Sequence, residues 1–327
     1  MQLNMRFIGV KSTLSKWNKS NPKINYLVSR MLSLRHSGTL IFRLVTYLLL
    51  FDLAFIFLYP FFYMIVTALK SPVDMMDITV NWIPRSLHTN NFTRALQSLD
   101  YFRGLLKTSF VTIFATIGHI ISCSMVAYGF ARYKFPLRDI LFVLVLLTII
   151  IPTQTLIISL IILYSKIGWL NNYMSLIVPT FFGFGLRGGL FIFIFRQFFL
   201  GMPHELEEAA RIDGCNAFRT YWTIVLPVAK SALLVCTILS IVWHWNDFFE
   251  PAMYITKPAL QLLPSKLPSL YEFLKRSLQQ DSIVSDTFTL EGVVMAATFL
   301  VILPILIVYL FLQKKFMEGI ERSGLIG

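Results

Sequence analysis

The chain alternates long apolar runs with short polar segments. Six runs of about 20 to 26 residues carry few or no charges, and a helix needs roughly 20 apolar residues to cross the hydrocarbon core of a membrane. The pattern therefore predicts an all-α membrane protein with six transmembrane helices. The predicted spans are residues 44–69, 109–130, 140–163, 175–199, 231–250 and 292–312.

Two of these runs contain a proline, Pro152 in the third and Pro304 in the sixth. Proline lacks a backbone N–H, so it kinks or ends a regular helix. Thr153, Gln154 and Thr155 follow Pro152, and their side chains can satisfy the freed backbone groups. We expect the third span to be kinked or interrupted at Pro152.

Composition supports the membrane assignment. Hydrophobic residues make up 56% of the chain and charged residues 14%, which is too apolar for an ordinary soluble domain. The net charge of +12 lies mostly in short segments beside the apolar runs, so it indicates orientation in a membrane and not nucleic-acid binding. The three cysteines show no metal-ligand spacing, so no metal site is expected.

Charge distribution predicts the topology. Residues 1–43 contain eight Lys or Arg and no acid, so the positive-inside rule places the N-terminus in the cytoplasm. The segments assigned inside carry 18 basic residues and those assigned outside carry 10, with both termini inside. The expected divisions are a basic cytoplasmic extension (1–43), the first span with an outer loop (44–108), a five-span core (109–312) and a cytoplasmic tail (313–327). The basic N-terminal arm is also expected to contact anionic headgroups of membrane lipid.

The outer loop before the last span has its own apolar pattern. Residues 251–291 contain Leu267, Leu270 and Leu274 at helical spacing. This spacing predicts a short helix at the membrane interface.

The segment between spans four and five predicts a helix-turn-helix. Pro203 can open the first helix, and Gly214 can close it in a left-handed conformation. Asn216 can then cap a second short helix, which Pro227 is expected to end. Acidic side chains suit the positive end of the first helix. They are Glu205, Glu207 and Glu208.

One face of this first helix is suited to a close partner. Leu206, Ala209, Ala210 and Asp213 follow the i, i+3, i+4, i+7 spacing of a single face. The paired alanines allow another backbone to come near.

This segment also carries a recognisable pattern. Residues 208–227 match E-A-A-x-x-D-G-x9-I-x-L-P at every fixed position. On this motif the chain resembles inner-membrane permease subunits of ATP-binding cassette (ABC) importers over roughly residues 40–327. Flanking residues are similar to the maltose-permease-like, carbohydrate-uptake branch. They are Arg196-Gln197-Phe198-Phe199, Met202-Pro203, Trp245-Asn246-Asp247-Phe248, Gln313 and Gly319.

The resemblance implies a function and partners. The motif helix would be a cytoplasmic coupling helix, and the protein a non-enzymatic subunit in the bacterial cytoplasmic membrane. The implied partners are a second homologous permease subunit, two ABC ATPase subunits, an extracytoplasmic solute-binding protein and a carbohydrate substrate. No cofactor is expected in this chain, since the ATPases would use ATP and Mg. The implied coupling residues are Glu208, Ala209, Ala210, Asp213, Gly214, Leu226 and Pro227.

The C-terminus departs from the family. Leu325-Ile326-Gly327 stands where Val-Lys-Gly is usual, so a tail contact to the ATPase through that lysine is not expected.

An ion-coupled secondary transporter is the alternative function. The chain contains no G-x-x-x-x-G-K-[ST] phosphate loop, so ATP hydrolysis must come from another subunit. A secondary transporter would need acidic residues inside the membrane and often shows inverted repeats. Asp52 is the one acid placed well within a predicted span, and no repeat is visible. The importer hypothesis is therefore favoured.

Five residues are candidates for the substrate pathway: Arg187, Trp243, Trp245, Asn246 and Asp247. Arg187 lies among glycines in the fourth span, where a charge should face water or the protein interior. It either lines the pathway or forms a structural ion pair with Asp52. The tryptophans either stack on a sugar ring, with Asn246 and Asp247 binding its hydroxyls, or belong to the aromatic belt at the membrane interface.

Overall fold

The computed structural model describes residues 22–279 and 286–322 of the chain, and every regular element in these ranges is helical. Fifteen α-helices are numbered here in chain order. They are α1 (Pro22–Leu69), α2 (Pro72–Met76), α3 (Asn90–Ser98), α4 (Tyr101–Arg132), α5 (Arg138–Ile150), α6 (Ile157–Lys166), α7 (Met174–Ile177), α8 (Gly188–Gly201), α9 (Glu205–Ile212), α10 (Ala217–Thr220), α11 (Leu226–Val228), α12 (Lys230–Asn246), α13 (Phe249–Tyr254), α14 (Leu263–Gln279) and α15 (Asp286–Arg322).

The chain divides into two units, residues 1–63 and 64–327. The described part of the first unit belongs to α1, which begins at Pro22, well before the predicted start of span one at residue 44. Its apolar side chains between Phe42 and Tyr63 are mostly exposed. Such a surface requires an apolar environment, as the prediction of a membrane span implies.

Three helices in the described ranges are each long and apolar enough to cross a membrane alone. They are the Phe42–Leu69 part of α1, helix α4 and the Leu290–Lys314 part of α15. A fourth arises if the segments Ala217–Val228 and Lys230–Asn246, which meet at 80°, form one span. The architecture is thus all-helical, with several apolar helices suited to a membrane.

The second unit is built around α4, which packs against α8 and α12. Small side chains permit this approach. Gly118 of α4 lies so close to Thr180 and Phe181 that a β-carbon would collide with both. The main core cluster joins α4 to α8 through Phe191, Phe195 and Phe199, and it extends to Val225 and Ala232. Helix α4 therefore connects the motif segment to the interior of the unit.

The third predicted span is interrupted at the position expected from Pro152. Helix α5 ends at Ile150, a 3₁₀ turn covers Thr153–Thr155, and α6 then begins at Ile157. The hydroxyl of Thr155 donates to the carbonyl of Pro152 at 2.7 Å. One of the threonines named in the sequence therefore does bind a backbone group at the break.

The fourth predicted span is not one continuous helix over residues 175–199, which corrects the expectation. Helix α7 passes into a 3₁₀ turn at Val178–Phe182, and α8 begins only at Gly188. Between them Gly183, Gly185 and Arg187 have positive φ angles of 69°, 113° and 64°. Left-handed residues cannot continue a right-handed helix, so the glycines break the span.

The sixth predicted span, residues 292–312, lies within the longer helix α15. Pro304 has no N–H to bond to the carbonyl of Leu300, one turn earlier. The hydroxyl of Tyr101 donates to this carbonyl at 3.0 Å, and Trp245 Nε1 donates to the next one, Val301, also at 3.0 Å. Side chains of α4 and α12 thus satisfy the backbone beside the proline.

The helix expected at the membrane interface exists as α14, but its leucines have a different role. Leu270 is 4% exposed and packs in a cluster with Leu99 of the loop before α4 and Val293 of α15. Leu267 and Leu274 pack at the edge of the same cluster. The apolar face therefore contacts the protein, because α4 and α15 provide a surface for it.

Candidate functional site

The motif segment forms the predicted helix-turn-helix with well-defined ends. Helix α9 closes with the N–H of Cys215 bonded to the carbonyl of Ala210 and the N–H of Gly214 bonded to that of Arg211. Together with φ of 79° at Gly214, these bonds form a Schellman motif. Asn216 Oδ1 accepts the N–H of Arg219 at 2.8 Å, so its predicted capping role is confirmed.

Two boundaries differ from the prediction. Helix α9 begins at Glu205 and not at Pro203, so it has 8 residues and is shorter than predicted. Pro227 does not end the second helix, because a π-helical turn at Tyr221–Val225 leads directly into α11. The chain bends only afterwards, at Ala229, where the 80° angle to α12 arises.

A buried ion pair fastens α9 to α4. Arg132 Nε lies 2.8 Å from Glu207 Oε1, with the two side chains 2% and 6% exposed. The Tyr128 hydroxyl donates to Glu207 Oε2 at 3.1 Å, and Arg132 also donates to the Met202 carbonyl at 2.6 Å. Nη1 of Arg132 lies 2.9 Å from Nε2 of His204. We call Tyr128, Arg132, His204 and Glu207 the anchor cluster.

The inner face of α9 packs against other parts of the same chain. Glu207 and Ala210 are buried, and Ala210 is only 1% exposed because α9 packs against the π-helical turn. The sequence predicts that Leu206, Ala209, Ala210 and Asp213 form one face of this helix. In the structure Ala210 is buried, whereas the other three side chains are exposed.

The outer face of the motif is exposed and mixes charge with apolar groups. Glu208, Ala209, Asp213, Gly214 and Pro227 are exposed, and Leu226 is half-buried. Ile212 is 87% exposed and Phe218 64% exposed. Exposed aliphatic and aromatic side chains at this density are typical of a protein docking surface.

A second region of interest is a cavity of about 490 Å³ in the second unit. It lies where the breaks in spans three and four meet the corner between α12 and α13. Its polar lining side chains are Thr148, Thr153, Gln154, Tyr164, Ser175, Arg187, His244, Asp247, Glu250 and Tyr254. Helix α4 reaches the cavity through Val111.

Of the five predicted pathway residues, Arg187 and Asp247 line this cavity. The Arg187 guanidinium lies over the ring of Trp243, 5.4 Å from its centroid. Asp247 Oδ1 accepts the N–H groups of Phe249 and Glu250 at 3.0 and 3.3 Å, which fixes the start of α13. The proposed ion pair between Arg187 and Asp52 involves the first unit and stays a prediction.

The other three predicted residues do not line the cavity. Trp245 is 6% exposed and donates to Val301, so it is an internal packing residue and the belt interpretation is wrong for it. Trp243 is half-buried and packs on Phe191 at a centroid distance of 5.5 Å. Asn246 is exposed, and its Nδ2 donates to the Val242 carbonyl.

Sequence reasoning missed His244 and Glu250, although both lie beside the Trp-Asn-Asp segment that was singled out. His244 Nε2 is 3.1 Å from His119 Nδ1 of α4, and the two rings stack. An N–H···N bond requires at least one neutral ring. Within the described ranges no group of three or more His, Cys, Asp or Glu side chains is arranged to hold a metal.

Comparison with known proteins identifies the class. Residues 120–320 match the family described as "Binding-protein-dependent transport system inner membrane component". The chain is 29% identical over 298 residues to the arabinooligosaccharides transport system permease protein AraQ of Bacillus subtilis, covering 90% of this chain and 100% of AraQ. It is 30% identical over 268 residues to a probable starch degradation products transport system permease protein, AmyC of Thermoanaerobacterium thermosulfurigenes, covering 82% and 91%.

A third relative has a different type of substrate in its name. The sn-glycerol-3-phosphate transport system permease protein UgpE of Yersinia pestis is 31% identical over 220 residues, covering 67% of this chain and 73% of UgpE. The fold is also found in the crystal structure of a bacterial ABC transporter involved in the import of the acidic polysaccharide alginate. The TM-score is 0.69 at 24% identity, over 85% of this chain and 98% of that one.

The fold and the motif define a membrane permease. The chain belongs to the family of binding-protein-dependent transport system inner membrane components. It is a transport subunit of the membrane and not an enzyme, in agreement with the sequence prediction. The family implies ATPase subunits and a binding protein as partners. A binding-protein-dependent system does not fit the alternative of an ion-coupled secondary transporter.

The anchor cluster generates a first testable prediction. Replacing Glu207 with Ala leaves the Arg132 charge buried without its partner, which typically costs about 3 to 5 kcal/mol. We expect a clear loss of thermal stability of the purified protein and of its abundance in the membrane. Glu205→Ala is the matched control, since Glu205 is exposed on the same helix. It should change stability by less than about 0.5 kcal/mol.

The double variant Arg132→Met with Glu207→Ala separates pairing from packing. Removing both charges leaves no uncompensated ion, so the double variant should be more stable than Glu207→Ala alone. Equal melting temperatures for Glu207→Ala and Glu205→Ala would contradict the anchoring role.

Proposed function

We propose that this chain is one of two related permease subunits of an ATP-driven importer for sugars or oligosaccharides. In this proposal two ATPase subunits dock on its cytoplasmic face, and an extracytoplasmic binding protein delivers the sugar. ATP and Mg are bound by the ATPases and not by this chain. AraQ and AmyC, whose names specify oligosaccharides and starch products, support the substrate class.

The proposal includes six spans with both termini in the cytoplasm. Spans three and four then each consist of two helical pieces, with the breaks at membrane depth. Irregular backbone is tolerated there only where it is covered by protein or lines a water-filled cavity. The breaks at residues 151–156 and 183–187 line the cavity, which supports this arrangement.

The main support for the proposal is that the two faces of α9 differ, one being buried and the other exposed. Its inner face is locked to α4 by the anchor cluster, while its outer face is exposed with Glu208 and Asp213. A helix of this kind transmits a push or pull from a docked partner directly to the membrane helices. We therefore assign α9 as the coupling helix, and ATP-driven movement of the ATPases would shift α4 through it.

The lining of the cavity supports carbohydrate as substrate. Sugars present many hydroxyl groups, and the walls offer carboxylates, hydroxyls and an amide that can pair with them. Aromatic rings at Tyr164 and Tyr254, with centroids 4.9 Å apart, add apolar surface for the faces of sugar rings. A cavity of about 490 Å³ lies within the usual range of ligand pockets, about 300 to 1,000 Å³.

Glu208 provides the first test of the coupling role. Glu208→Lys reverses an exposed charge that is available for a charge-assisted contact, typically worth about 1.5 to 3 kcal/mol. We expect normal membrane abundance, loss of uptake and weaker co-purification of the ATPases. Glu205→Lys, the same charge change on the same helix, should retain most of the uptake. If Glu208→Lys keeps full uptake and full co-purification, Glu208 is not a coupling residue.

Gly214 provides an independent test through the backbone. A β-carbon at Gly214 would meet no atom within 4 Å, so the cost of a substitution there is conformational. A β-branched residue in this left-handed position costs roughly 1 to 2 kcal/mol, whereas Asn tolerates it. Gly214→Val should abolish uptake at normal abundance, and Gly214→Asn should retain most of it. Equal uptake by both variants would show that this turn does not control coupling.

A further inference from the structure

We propose that the cavity of this permease accepts uncharged or cationic sugars and discriminates against anionic ones, such as uronates and sugar phosphates. The inference deepens the proposed function and rests on it. It arises from the balance of charges on the cavity wall, which the family assignment does not determine.

Carboxylates outnumber cations in the lining. Asp247 and Glu250 both line the cavity, and Arg187 is the one Lys or Arg among its described lining residues. Within the described part of the chain neither carboxylate forms an ion pair. His244 also lines the cavity, and its hydrogen bond with His119 requires that at least one of the two rings be neutral.

The two carboxylates are held on one side. The backbone N–H groups of Phe249 and Glu250 bind Asp247 Oδ1, so the Asp247 carboxylate cannot rotate freely. Glu250 follows three residues later in the first turn of α13, which brings both acids to the same wall. An entering solute therefore meets two acids on the same wall, one of which, Asp247, is held in place by hydrogen bonds.

The single cation is held beside its own neighbour. The Arg187 guanidinium lies over the Trp243 ring, an arrangement in which the ring face attracts the positive charge. The contact holds the guanidinium in place but leaves its charge unchanged, so one cation faces an anionic solute together with two carboxylates. A neutral sugar avoids this problem, because its hydroxyls donate hydrogen bonds to the carboxylates.

An anionic sugar meets repulsion that water cannot screen fully inside a cavity. Like charges a few ångströms apart interact strongly at the low effective dielectric of a protein interior. We expect wild type to favour a cationic over an anionic solute in the cavity by about tenfold, because juxtaposed like charges disfavour the anion.

A cysteine reporter tests the cavity without depending on the binding protein. Thr153→Cys, in a Cys215→Ala background, places a thiol on the cavity wall of the complete importer in vesicles. The rates of modification by the cationic reagent MTSET and the anionic reagent MTSES are measured. Ser269→Cys, at an exposed position on α14, gives the reference ratio in open solvent.

We expect the MTSET to MTSES ratio at Thr153→Cys to exceed the reference by about tenfold. Asp247→Asn with Glu250→Gln should bring it to the reference, while Glu272→Gln, an exposed acid of α14, should leave it unchanged. A ratio insensitive to the two amide substitutions overturns the inference. A thiol that reacts with neither reagent overturns it too, since no solute then enters.

Uptake by the same vesicles separates this inference from the proposed function. The probes are maltotriose, arabinotriose, digalacturonate and glucose 1-phosphate, each with the binding protein in excess. If neutral sugars are taken up but modification of the Thr153→Cys thiol does not depend on the charge of the reagent, the inference is wrong and the proposed function still holds. Uptake of the anionic probes at the same rate as the neutral sugars would also contradict the inference. If no probe of either kind is imported, the proposed function fails, and the inference fails with it.

Discussion

The buried ion pair between Arg132 and Glu207 is the interaction on which this account of the permease depends. It connects α9, a helix of 8 residues, to the C-terminal end of α4, the helix around which the second unit is packed. Burying two charges is costly unless geometry and further hydrogen bonds compensate, and here Tyr128 and the Met202 carbonyl supply them. Separation of α9 from α4 would leave both charges unpaired, so the two helices are expected to move together.

Helix α4 extends this connection to the cavity. Arg132 and Val111 are 21 residues apart on one uninterrupted helix, a distance of roughly 32 Å at 1.5 Å per residue. The cavity is bounded on its other sides by broken helices, whose glycines and prolines allow local change. A continuous helix that passes beside these breaks supports the proposal that movement of α9 changes the shape of the cavity.

Much of the local structure was predictable, because local residues determine it. Gly214 and Asn216 sit at helix ends where their conformational freedom and side-chain chemistry are needed, and both predictions hold. Pro152 interrupts its span as expected. The glycines at residues 183–189 were noticed, but hydropathy alone did not reveal that they break the span.

Long-range pairing could not be predicted in the same way. Glu207 and Arg132 lie 75 residues apart, and each had an adequate local explanation, as a helix-end acid and as a basic residue beside a span. For Trp245 the sequence leaves sugar stacking and the interfacial belt as alternatives, and neither includes its internal partner, a carbonyl in α15 that is 56 residues away. His244 and Glu250 became candidates only when the cavity placed them beside Arg187 and Asp247.

We expect α9 and α4 to move as one body when the importer uses ATP. Spin labels at Arg211 of α9 and Lys134 just after α4, both exposed, allow their separation to be measured in the complete importer. A second pair, at Arg211 and the exposed Gln154, reports movement between α9 and the break between α5 and α6 at the cavity. With and without bound ATP, the first distance should stay constant to well within one helical turn, ~5.4 Å, while the second changes. A change of a full turn or more in the first distance would contradict the account.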